Sequence, residues 1–220
     1  MTIKSVNIVV PLKNEEKSIK VLIDNLRPII DKIKIKTIIS LIDDHSSDQT
    51  WNLLEEYKQK FDFIKIYKSE NTPGFGGALK FAIKKNEEDA VIIFMGDSSD
   101  DPSDIIEYVK YLEEGFDCVF GSRFITGSKL TEYPLVKLVL NRIANNFIRI
   151  LFLIKYNDIT NAFKAYTKKT LDECEPIISK HFNINAELSL KSIIRGFTCK
   201  VIPISWTNRK DGISKFYIKE

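Results

Sequence analysis

Cysteine and histidine are scarce in this chain, which has three cysteines and two histidines among 220 residues. Cys118, Cys174 and Cys199 are far apart in the sequence, and no CxxC pair is present. This spacing does not match the common zinc-site patterns and gives no support to a disulfide framework. Because structural disulfides are rare in reducing compartments, we expect a cytoplasmic location.

Long apolar runs and a marked charge excess are also missing. No run approaches the roughly 18 apolar residues that a membrane-spanning helix needs, and Lys4 interrupts any N-terminal signal peptide. The formal net charge is only +3 and no long basic run stands alone, so the sequence predicts no nucleic-acid partner. A peripheral position at the inner face of a membrane stays compatible with this sequence.

Short β-branched runs alternate with longer amphipathic stretches over the first 120 residues. This alternation predicts an α/β fold with a mostly parallel central sheet covered by helices, in which ligands bind outside the carboxyl ends of the strands. Pro28 should bend or end the first helix. The predicted strands are Val6–Val10, Thr37–Ile42, Phe63–Tyr67, Ala90–Met95 and Asp117–Phe120, and the predicted helices are Glu15–Ile33, Asp48–Lys60, Gly76–Lys85 and Pro102–Glu114.

The second half of the chain has a different character. A long apolar and basic helix is predicted over Pro134–Ile154. A strand at Ala162–Tyr166, helices near Lys168–Ile177 and Asn185–Arg195, and a strand at Cys199–Ile204 follow it. Because no internal repeat or linker is apparent, we expect a single domain over residues 1–220.

Four polar clusters follow predicted strands, and their coincidence is more informative than any one of them. In the first, Asn14 can cap the following helix, with Glu15 favouring its N-terminus, or both can bind a ligand. In the second, the adjacent carboxylates of Asp43 and Asp44 repel each other, so a bound ribose or base, or nearby N–H groups, should compensate them. His45 lies in the same loop, without a partner that indicates catalysis.

The third cluster, Met95–Pro102, is rich in oxygen ligands. Such clusters suit hard cations such as Mg²⁺ or Mn²⁺, which bridge one or two carboxylates to substrate phosphates. Asp97 leaves the strand first and is the better metal candidate. Asp101 precedes Pro102, which is the pattern of a helix N-cap with proline in the first turn.

The fourth cluster contains Arg123, which could brace the acidic residues, bind a phosphate with two hydrogen bonds, or simply face solvent in a turn. A glycine segment around Gly76 opens a helix and suits close approach of the backbone to a phosphate. It is not a GxGxxG fingerprint, because Leu79 occupies the last position.

In this order, the clusters resemble family 2 inverting glycosyltransferases, and within that family the dolichol- or polyprenyl-phosphate sugar transferases. The resemblance runs from Val6 to about Lys215, nearly the whole chain. The segments that carry it are PLKNE, IDDHSSDQT, NTPGFGGA, FMGDSSDDP, GSRFITG, NAFKAY and PISWTNRKDGISK.

The resemblance implies a GT-A type fold, with residues 1–120 as the half that binds the nucleotide-sugar and residues 121–220 as the half that faces the acceptor or a membrane. It implies a divalent cation, Mg²⁺ or Mn²⁺, held by Asp97 with Ser99. The residues expected to bind the nucleotide-sugar are Pro11, Asn14, Glu15, Asp43, Asp44, Ser46 and Gly76. At the phosphates or in catalysis the resemblance implies Asp97, Arg123, Arg209, Ser214 and Lys215. Arg142 is a further candidate cation for an acceptor phosphate.

Three positions depart from the family pattern. Lys13 stands where an aromatic residue is usual, and His45 replaces a glycine. Met95 replaces the earlier aspartate of the D-x-D element. Either Asp100 fills this place, or metal binding is weaker and depends more on the nucleotide.

The implied reaction moves a hexose from a donor of the GDP-mannose or UDP-glucose type to a polyprenyl or dolichyl phosphate. A phosphate monoester is largely ionised near neutral pH and needs little help from a base. Two alternatives stay open. A family 2 enzyme acting on a glycan or small-molecule hydroxyl would need a base, for which Glu187 is a candidate, and a non-catalytic nucleotide-binding module would show no transfer.

The predicted helix at Pro134–Ile154 bears on the acceptor. Its periodicity fits a helix that packs in the core or in a homo-oligomer. It fits equally a basic amphipathic helix at an anionic membrane surface, and the resemblance favours this second interpretation. The apolar positions are Val136, Val139, Leu140, Ile143, Phe147, Ile150, Leu151 and Ile154, and the polar ones are Lys137, Asn141, Arg142, Asn145 and Arg149.

Overall fold

The computed structural model describes residues 2–208. Its strands are β1 Ser5–Leu12, β2 Lys36–Asp43, β3 Ile64–Lys68, β4 Ala90–Ile93, β5 Cys118–Ser122, β6 Lys129–Thr131, β7 Lys164–Thr167, β8 Cys199–Pro203 and β9 Ser205–Thr207. Its α-helices are α1 Ile19–Ile30, α2 Thr50–Lys60, α3 Phe75–Lys85, α4 Ile105–Glu113, α5 Leu135–Phe152, α6 Lys168–Glu173 and α7 Ile184–Ile194, and a short 3₁₀ helix, Pro102–Asp104, precedes α4.

A seven-stranded sheet in the order β3-β2-β1-β4-β7-β5-β8 forms the centre of the fold. All neighbouring pairs are parallel except those of β7, which runs antiparallel to both β4 and β5. The chain moves from β1 outward to β2 and β3 and then returns to place β4 on the other side of β1. This reversal is a topological switch point, where ligands bind in α/β sheets. The expected mostly parallel sheet covered by helices is confirmed.

Burial explains why these segments form the sheet and its cover. β1 and β4 are apolar and almost wholly buried, as expected for central strands covered on both faces. On α1 the buried positions recur at helical spacing, at Ile19, Leu22, Ile23, Leu26 and Ile29. Burying each such side chain stabilises the fold by about 1.5–3 kcal/mol. These apolar layers hold the strand ends in a fixed relation.

Some element boundaries differ from the sequence prediction. α1 begins at Ile19 rather than Glu15 and ends at Ile30, so Pro28 lies in its last turn. α6 ends at Glu173, short of the predicted Ile177. The parallel pair of β6 and β9 was not predicted, because three-residue strands carry little local signal.

Candidate active site

The loops that follow β1 and β2 are joined by hydrogen bonds at the carboxyl edge of the sheet. Asn14 has a positive φ of 51°, and its side-chain Oδ1 accepts from the backbone N–H of Ser47 at 2.8 Å. The Asn14 N–H donates to Ser46 Oγ at 2.9 Å, and the Glu15 N–H donates to Thr50 Oγ1 at 2.9 Å. Asn14 is therefore not the cap of α1, which begins after Ser18, but a link between two loops.

The adjacent carboxylates Asp43 and Asp44 are both buried. Asp44 accepts hydrogen bonds from the Gly74 N–H on both oxygens, at 3.1 and 3.0 Å, and lies 3.3 Å from His45 Nδ1. Asp43 Oδ1 accepts from the Ser46 N–H at 3.3 Å. From the sequence, either a ligand or nearby N–H groups were expected to offset the repulsion between these two carboxylates, and the protein itself supplies N–H groups. Asp44 thereby fixes the start of the glycine segment against β2.

The glycine segment packs too closely for side chains. Gly74 has a φ of 130°, a conformation that L side chains rarely adopt. A Cβ on Gly76 would lie 2.6 Å from the Lys180 carbonyl carbon and 2.8 Å from the His181 nitrogen. Phe75 stacks on Phe182 with ring centroids 4.5 Å apart. Gly76 thus has a packing reason that is independent of any ligand. Beside it lies an open cavity of about 290 Å³, lined by Asn71, Thr72, Gly77, Lys80 and Lys180.

The loop after β4 folds around Asp97. The Ser99 N–H and Oγ–H both donate to Asp97 Oδ1, at 3.1 and 2.7 Å, and Ser98 between them has a positive φ of 56°. Asp101 Oδ1 accepts from the Ser103 N–H at 2.9 Å. The predicted helix-capping role of Asp101 is confirmed. The tight turn leaves the Asp97 side chain partly exposed at the edge of the sheet.

Asp100 is buried within this loop, and its Oδ1 has no hydrogen-bond partner among residues 2–208. Burial raises the pKa of Asp100 to about 8, a shift that the Asp97 carboxylate increases and the Arg123 guanidinium opposes. Strand β9 runs alongside: the Thr207 N–H donates to the Ser99 carbonyl at 2.9 Å. An unpartnered carboxylate oxygen in such a position needs an explanation.

Arg123 follows β5 and is 8% exposed, paired with the wholly buried Asp158. Its Nη2 donates to Asp158 Oδ1 at 2.7 Å, and its Nε and backbone N–H donate to Oδ2 at 2.8 and 3.0 Å. Its Nη1 donates to the Tyr133 hydroxyl at 3.4 Å. Although burial lowers the pKa of Arg123, these bonds outweigh that effect and raise it. Asp158 was not identified from the sequence, although a buried arginine requires an anion somewhere.

A second buried basic side chain, Lys164 on β7, lies near this pair. Its Nζ donates to the carbonyls of Ile159 and Asn185, at 2.7 and 2.9 Å, and to Ser189 Oγ at 2.5 Å. Burial lowers the pKa of Lys164 to about 7, against the opposing attraction of Asp158. Lys164 therefore joins the segment next to Asp158 to α7. It belongs to the NAFKAY segment, but no sequence pattern assigned it this role.

Glu187 on α7 is engaged in hydrogen bonds that hold the preceding turn. It accepts from the N–H groups of Ile178 and Ser179, at 3.0 and 2.8 Å, and from Lys191 Nζ at 2.6 Å. Burial raises the pKa of Glu187, but these bonds, with Lys191 first, outweigh burial and lower it to about 2. A carboxylate with so low a pKa is a poor general base. The role of base considered for Glu187 is not supported.

Helix α5 is arranged with its polar side against the protein. Asn145 is its one fully buried residue, and its Nδ2 donates to Thr160 Oγ1 at 3.0 Å. Arg142 Nη1 donates to the Asn157 carbonyl at 3.0 Å, and its guanidinium lies 4.4 Å from the Phe124 ring centroid. The side chains that point away are 55–77% exposed, namely Leu135, Val136, Val139, Leu140, Ile143, Phe147, Ile150 and Leu151. The core-packing interpretation of this helix is wrong for the chain by itself.

Three predicted site residues, Arg209, Ser214 and Lys215, lie outside the described residues. Within residues 2–208 there is no helix that is long and apolar enough to cross a bilayer. The same part of the chain holds no group of three or more His, Cys, Asp or Glu side chains suited to a metal ion. The loops after β1, β2 and β4 nevertheless place Asp43, Asp44 and Asp97 along one edge of the sheet, at its switch point.

Comparison with known proteins identifies the fold and the family. The model of "Glycosyl transferase family 2" matches residues 7–175. The crystal structure of glucosyl-3-phosphoglycerate synthase from Mycobacterium tuberculosis in complex with Mn²⁺, UDP and glucosyl-3-phosphoglycerate superposes with a TM-score of 0.74 at 15% identity, over 96% of this chain and 73% of that one. A complex of the same enzyme with Mg²⁺ and UDP gives a TM-score of 0.71 at 16% identity over 96% and 73% of the chains. The fold is therefore of the GT-A type.

Two curated relatives cover almost all of this chain. Polyprenol monophosphomannose synthase of Mycolicibacterium smegmatis is 24% identical over 216 residues, which are 94% of this chain and 79% of the relative. Glycosyltransferase AglD of Haloferax volcanii is 23% identical over 212 residues, 94% of this chain but 34% of the relative, so the chain spans about a third of that protein. The resemblance seen in the sequence motifs is confirmed, and the chain belongs to glycosyl transferase family 2, the enzymes of which transfer sugars.

Proposed function

We propose that this enzyme transfers a hexose from a nucleotide-sugar to a polyprenyl phosphate, with inversion at the anomeric carbon. The observation that carries the proposal is helix α5, which turns its apolar side away from the protein while Arg142 on its polar side points back toward the segment beside Asp158. A lipid with a phosphate head combines these two chemistries. The similarity to polyprenol monophosphomannose synthase supports the same acceptor class.

The half of the protein formed by residues 1–120 binds the donor in this proposal. Pro11, at the end of β1, and the loops joined through Asn14 and Ser46 border the switch point. Asp43 and Asp44 are held rigid by backbone N–H groups, so they meet a ribose or base without further rearrangement. The solved UDP complexes of a protein with the same fold support a nucleotide at this edge.

A divalent cation, Mg²⁺ or Mn²⁺, fits the residues of the loop after β4. Asp97 presents a partly exposed carboxylate, Ser99 adds an oxygen beside it, and the unpartnered oxygen of Asp100 lies in the same loop. Such cations use one or two carboxylates together with substrate phosphates. When bound there, the cation would supply positive charge that stabilises the departing diphosphate.

The protein's own groups then account for the remaining requirements. An ionised phosphate oxygen of the acceptor attacks the anomeric carbon, the bond from that carbon to the diphosphate oxygen breaks, and the nucleoside diphosphate leaves with the electron pair. An ionised acceptor requires no base, which agrees with the engagement of the Glu187 carboxylate in a hydrogen bond from Lys191. Arg142 is a candidate to hold the acceptor phosphate. Arg209, Ser214 and Lys215 remain proposed contacts outside the described residues.

Arg123 has few N–H groups left with which to bind a phosphate. Its Nε and Nη2 are committed to Asp158, and its Nη1 is directed to Tyr133. The guanidinium therefore offers only its remaining hydrogens to a donor or acceptor phosphate. We propose that it contributes a fixed positive charge behind the metal loop, held in orientation by Asp158.

Helix α5 is proposed to rest on an anionic membrane surface. Residues 133–157 contain Lys137, Arg142, Arg149 and Lys155 and no carboxylate. An exposed apolar helix face bordered by cations binds at the headgroup boundary of anionic lipids. A homo-oligomer that covers the same face is the competing arrangement.

Transfer is tested with the full chain, Mn²⁺ and radiolabelled GDP-mannose or UDP-glucose. The acceptors are a short-chain polyprenyl phosphate, the polyprenol of equal length and simple sugars. We expect label in the lipid phosphate with one of the donors and none in the polyprenol. Transfer to sugars alone would establish the hydroxyl-acceptor alternative. Absence of any transfer together with absence of metal-dependent nucleotide binding would leave a non-catalytic module.

Membrane binding is tested by flotation with vesicles of anionic and of zwitterionic lipid. Phe147→Glu places a charge on the exposed apolar face of α5 and should abolish flotation with anionic vesicles. Val21→Glu is the matched control, because Val21 is an exposed apolar residue on another helix, α1. Equal loss in both variants would contradict the proposed role of α5, and a concentration-dependent dimer that Phe147→Glu disrupts would favour the homo-oligomer.

A further inference from the structure

The metal loop lacks one acidic ligand at the position where this family usually has it. Met95 stands two residues before Asp97, and a thioether is a soft group that suits neither Mg²⁺ nor Mn²⁺. Asp97 is thus the one carboxylate of the D-x-D element in this chain. Any second carboxylate for the cation has to come from elsewhere in the loop.

Asp100 follows Asp97 after a tight turn. The Ser99 N–H and hydroxyl both bond to Asp97 Oδ1, and Ser98 takes a left-handed conformation, so the chain reverses between the two acids. The Asp97 and Asp100 carboxylates are close enough to interact electrostatically. A cation bound between the two carboxylates would favour the ionised form of Asp100.

The Asp100 side chain is 4% exposed, and its Oδ1 is without a hydrogen-bond partner within the described part of the chain. Leaving a buried acceptor unsatisfied costs about 1–3 kcal/mol, and more when it is charged. Ser98 Oγ, in the same turn, is also buried and without a partner there. Both oxygens belong to the loop that carries Asp97, and oxygen atoms are the ligands that a hard cation takes.

Strand β9 prevents Asp100 from turning outward. The Thr207 N–H bonds to the Ser99 carbonyl at 2.9 Å, and the Asp101 N–H bonds to the Ser205 carbonyl at 3.2 Å. Asp100 itself forms a β-bridge with Trp206. Its backbone is therefore fixed on both sides, and the carboxylate stays inside. Asp101, by contrast, is exposed and uses its carboxylate to cap the following helix.

We propose that Asp100 supplies the second carboxylate ligand of the divalent cation, in place of the aspartate that Met95 replaces. The assignment deepens the proposed function and rests on it, because the cation considered is the one that accompanies the nucleotide-sugar. It predicts that Asp97 and Asp100 act together on metal affinity, while Asp101 does not.

The test measures nucleotide affinity rather than sugar transfer. Calorimetric titration of the full chain with GDP and with UDP, each with and without Mn²⁺, gives the factor by which the metal tightens binding. Asp100→Asn keeps the shape of the side chain and removes its ability to ionise around a cation, and Asp101→Asn is the matched control. Asp100→Ser is titrated in parallel, so that a folding defect in one variant leaves the other to decide.

We expect Asp100→Asn to reduce the Mn²⁺-dependent gain at least about tenfold, the loss typical even of groups that only support metal ligands. Its affinity for nucleotide without Mn²⁺ should not change, and Asp101→Asn should keep the full gain. An undiminished gain in Asp100→Asn or Asp100→Ser, with the gain lost in Asp97→Asn, overturns the role of Asp100 and leaves the proposed function standing. If the unmodified chain shows no gain with either nucleotide, the metal-dependent function fails as well.

Discussion

The buried ion pair of Arg123 and Asp158 should contribute strongly to the stability of the protein. Asp158 is wholly buried and both of its oxygens are bonded to Arg123, which is itself 8% exposed. In Asp158→Asn the side chain keeps its volume, but the guanidinium charge stays buried without its anion. Removing one partner of a buried ion pair typically costs about 3–5 kcal/mol.

The amide of Asp158→Asn can still accept one hydrogen bond, so we expect the lower end of this range, about 3 kcal/mol. In a protein of this size that corresponds to a fall of about 6–12 °C in Tm. Urea denaturation followed by circular dichroism measures the free energy of unfolding. Asp172→Asn is the control, because Asp172 is exposed and forms a long ion pair with Lys168, at 4.0 Å. This variant should change the free energy of unfolding by less than about 1 kcal/mol.

A double variant separates charge from packing. Arg123→Met with Asp158→Leu removes both charges and restores apolar contact, so it should recover most of the loss seen in Asp158→Asn. The reasoning is refuted if Asp158→Asn costs less than about 1 kcal/mol, the range of exposed pairs. It is equally refuted if the double variant is less stable than Asp158→Asn, because the buried charge would then not be the cause.

Three further predictions concern other parts of the site. Gly76→Ala should lose about 1–3 kcal/mol, since its Cβ would meet the Lys180–His181 backbone; unchanged urea denaturation would contradict this packing. Glu187→Gln should be less stable than the parent protein at pH 7, with the difference vanishing as pH falls from 4.5 toward 2, and it should keep transfer activity; loss of kcat alone would restore Glu187 as a base. Burial lowers the pKa of Lys164 to about 7 in the folded protein, so between about pH 7 and 10 the unfolded chain binds one more proton than the folded one. The free energy of unfolding, measured relative to Lys164→Met, should therefore rise with pH by up to about 1.4 kcal/mol per pH unit. Parallel stability curves of the two proteins would show instead that Lys164 is charged when buried.

The sequence was sufficient to place the strands of the first 120 residues and the residues at their ends. Buried strands appear in the sequence as short apolar runs, and the helices between them as stretches of helical periodicity. For this reason β1, β2 and β4 lie close to their predicted positions. The local sequence does not indicate that β7 runs antiparallel, because strand direction depends on the neighbouring strands with which it pairs. The β6–β9 pair joins Lys129 to Ser205, which are distant in the chain.

The partners of the site residues were harder to predict than their positions. Asn14 looks like a helix cap in the sequence, but its acceptor is used by Ser47 in another loop. Arg123 looks like a phosphate ligand at a strand exit, and its counter-ion Asp158 is 35 residues away. For α5 the periodicity defines two faces and does not tell which faces the protein. The hydrogen bonds of Asn145 with Thr160 decide that.

Hydrogen bonding distinguishes the buried carboxylates that hold the fold from Asp100, which we propose binds the cation. Asp44 and Asp158 have partners on both oxygens, so their substitution should lower stability whether or not a ligand is present. Asp100 is the buried carboxylate with an unpartnered oxygen among residues 2–208. Its replacement by an amide in Asp100→Asn should therefore leave stability unchanged or raise it, while the Mn²⁺-dependent gain in nucleotide affinity falls. A variant of Asp100 that loses stability as Asp158→Asn does would show that its carboxylate serves the fold instead of the cation.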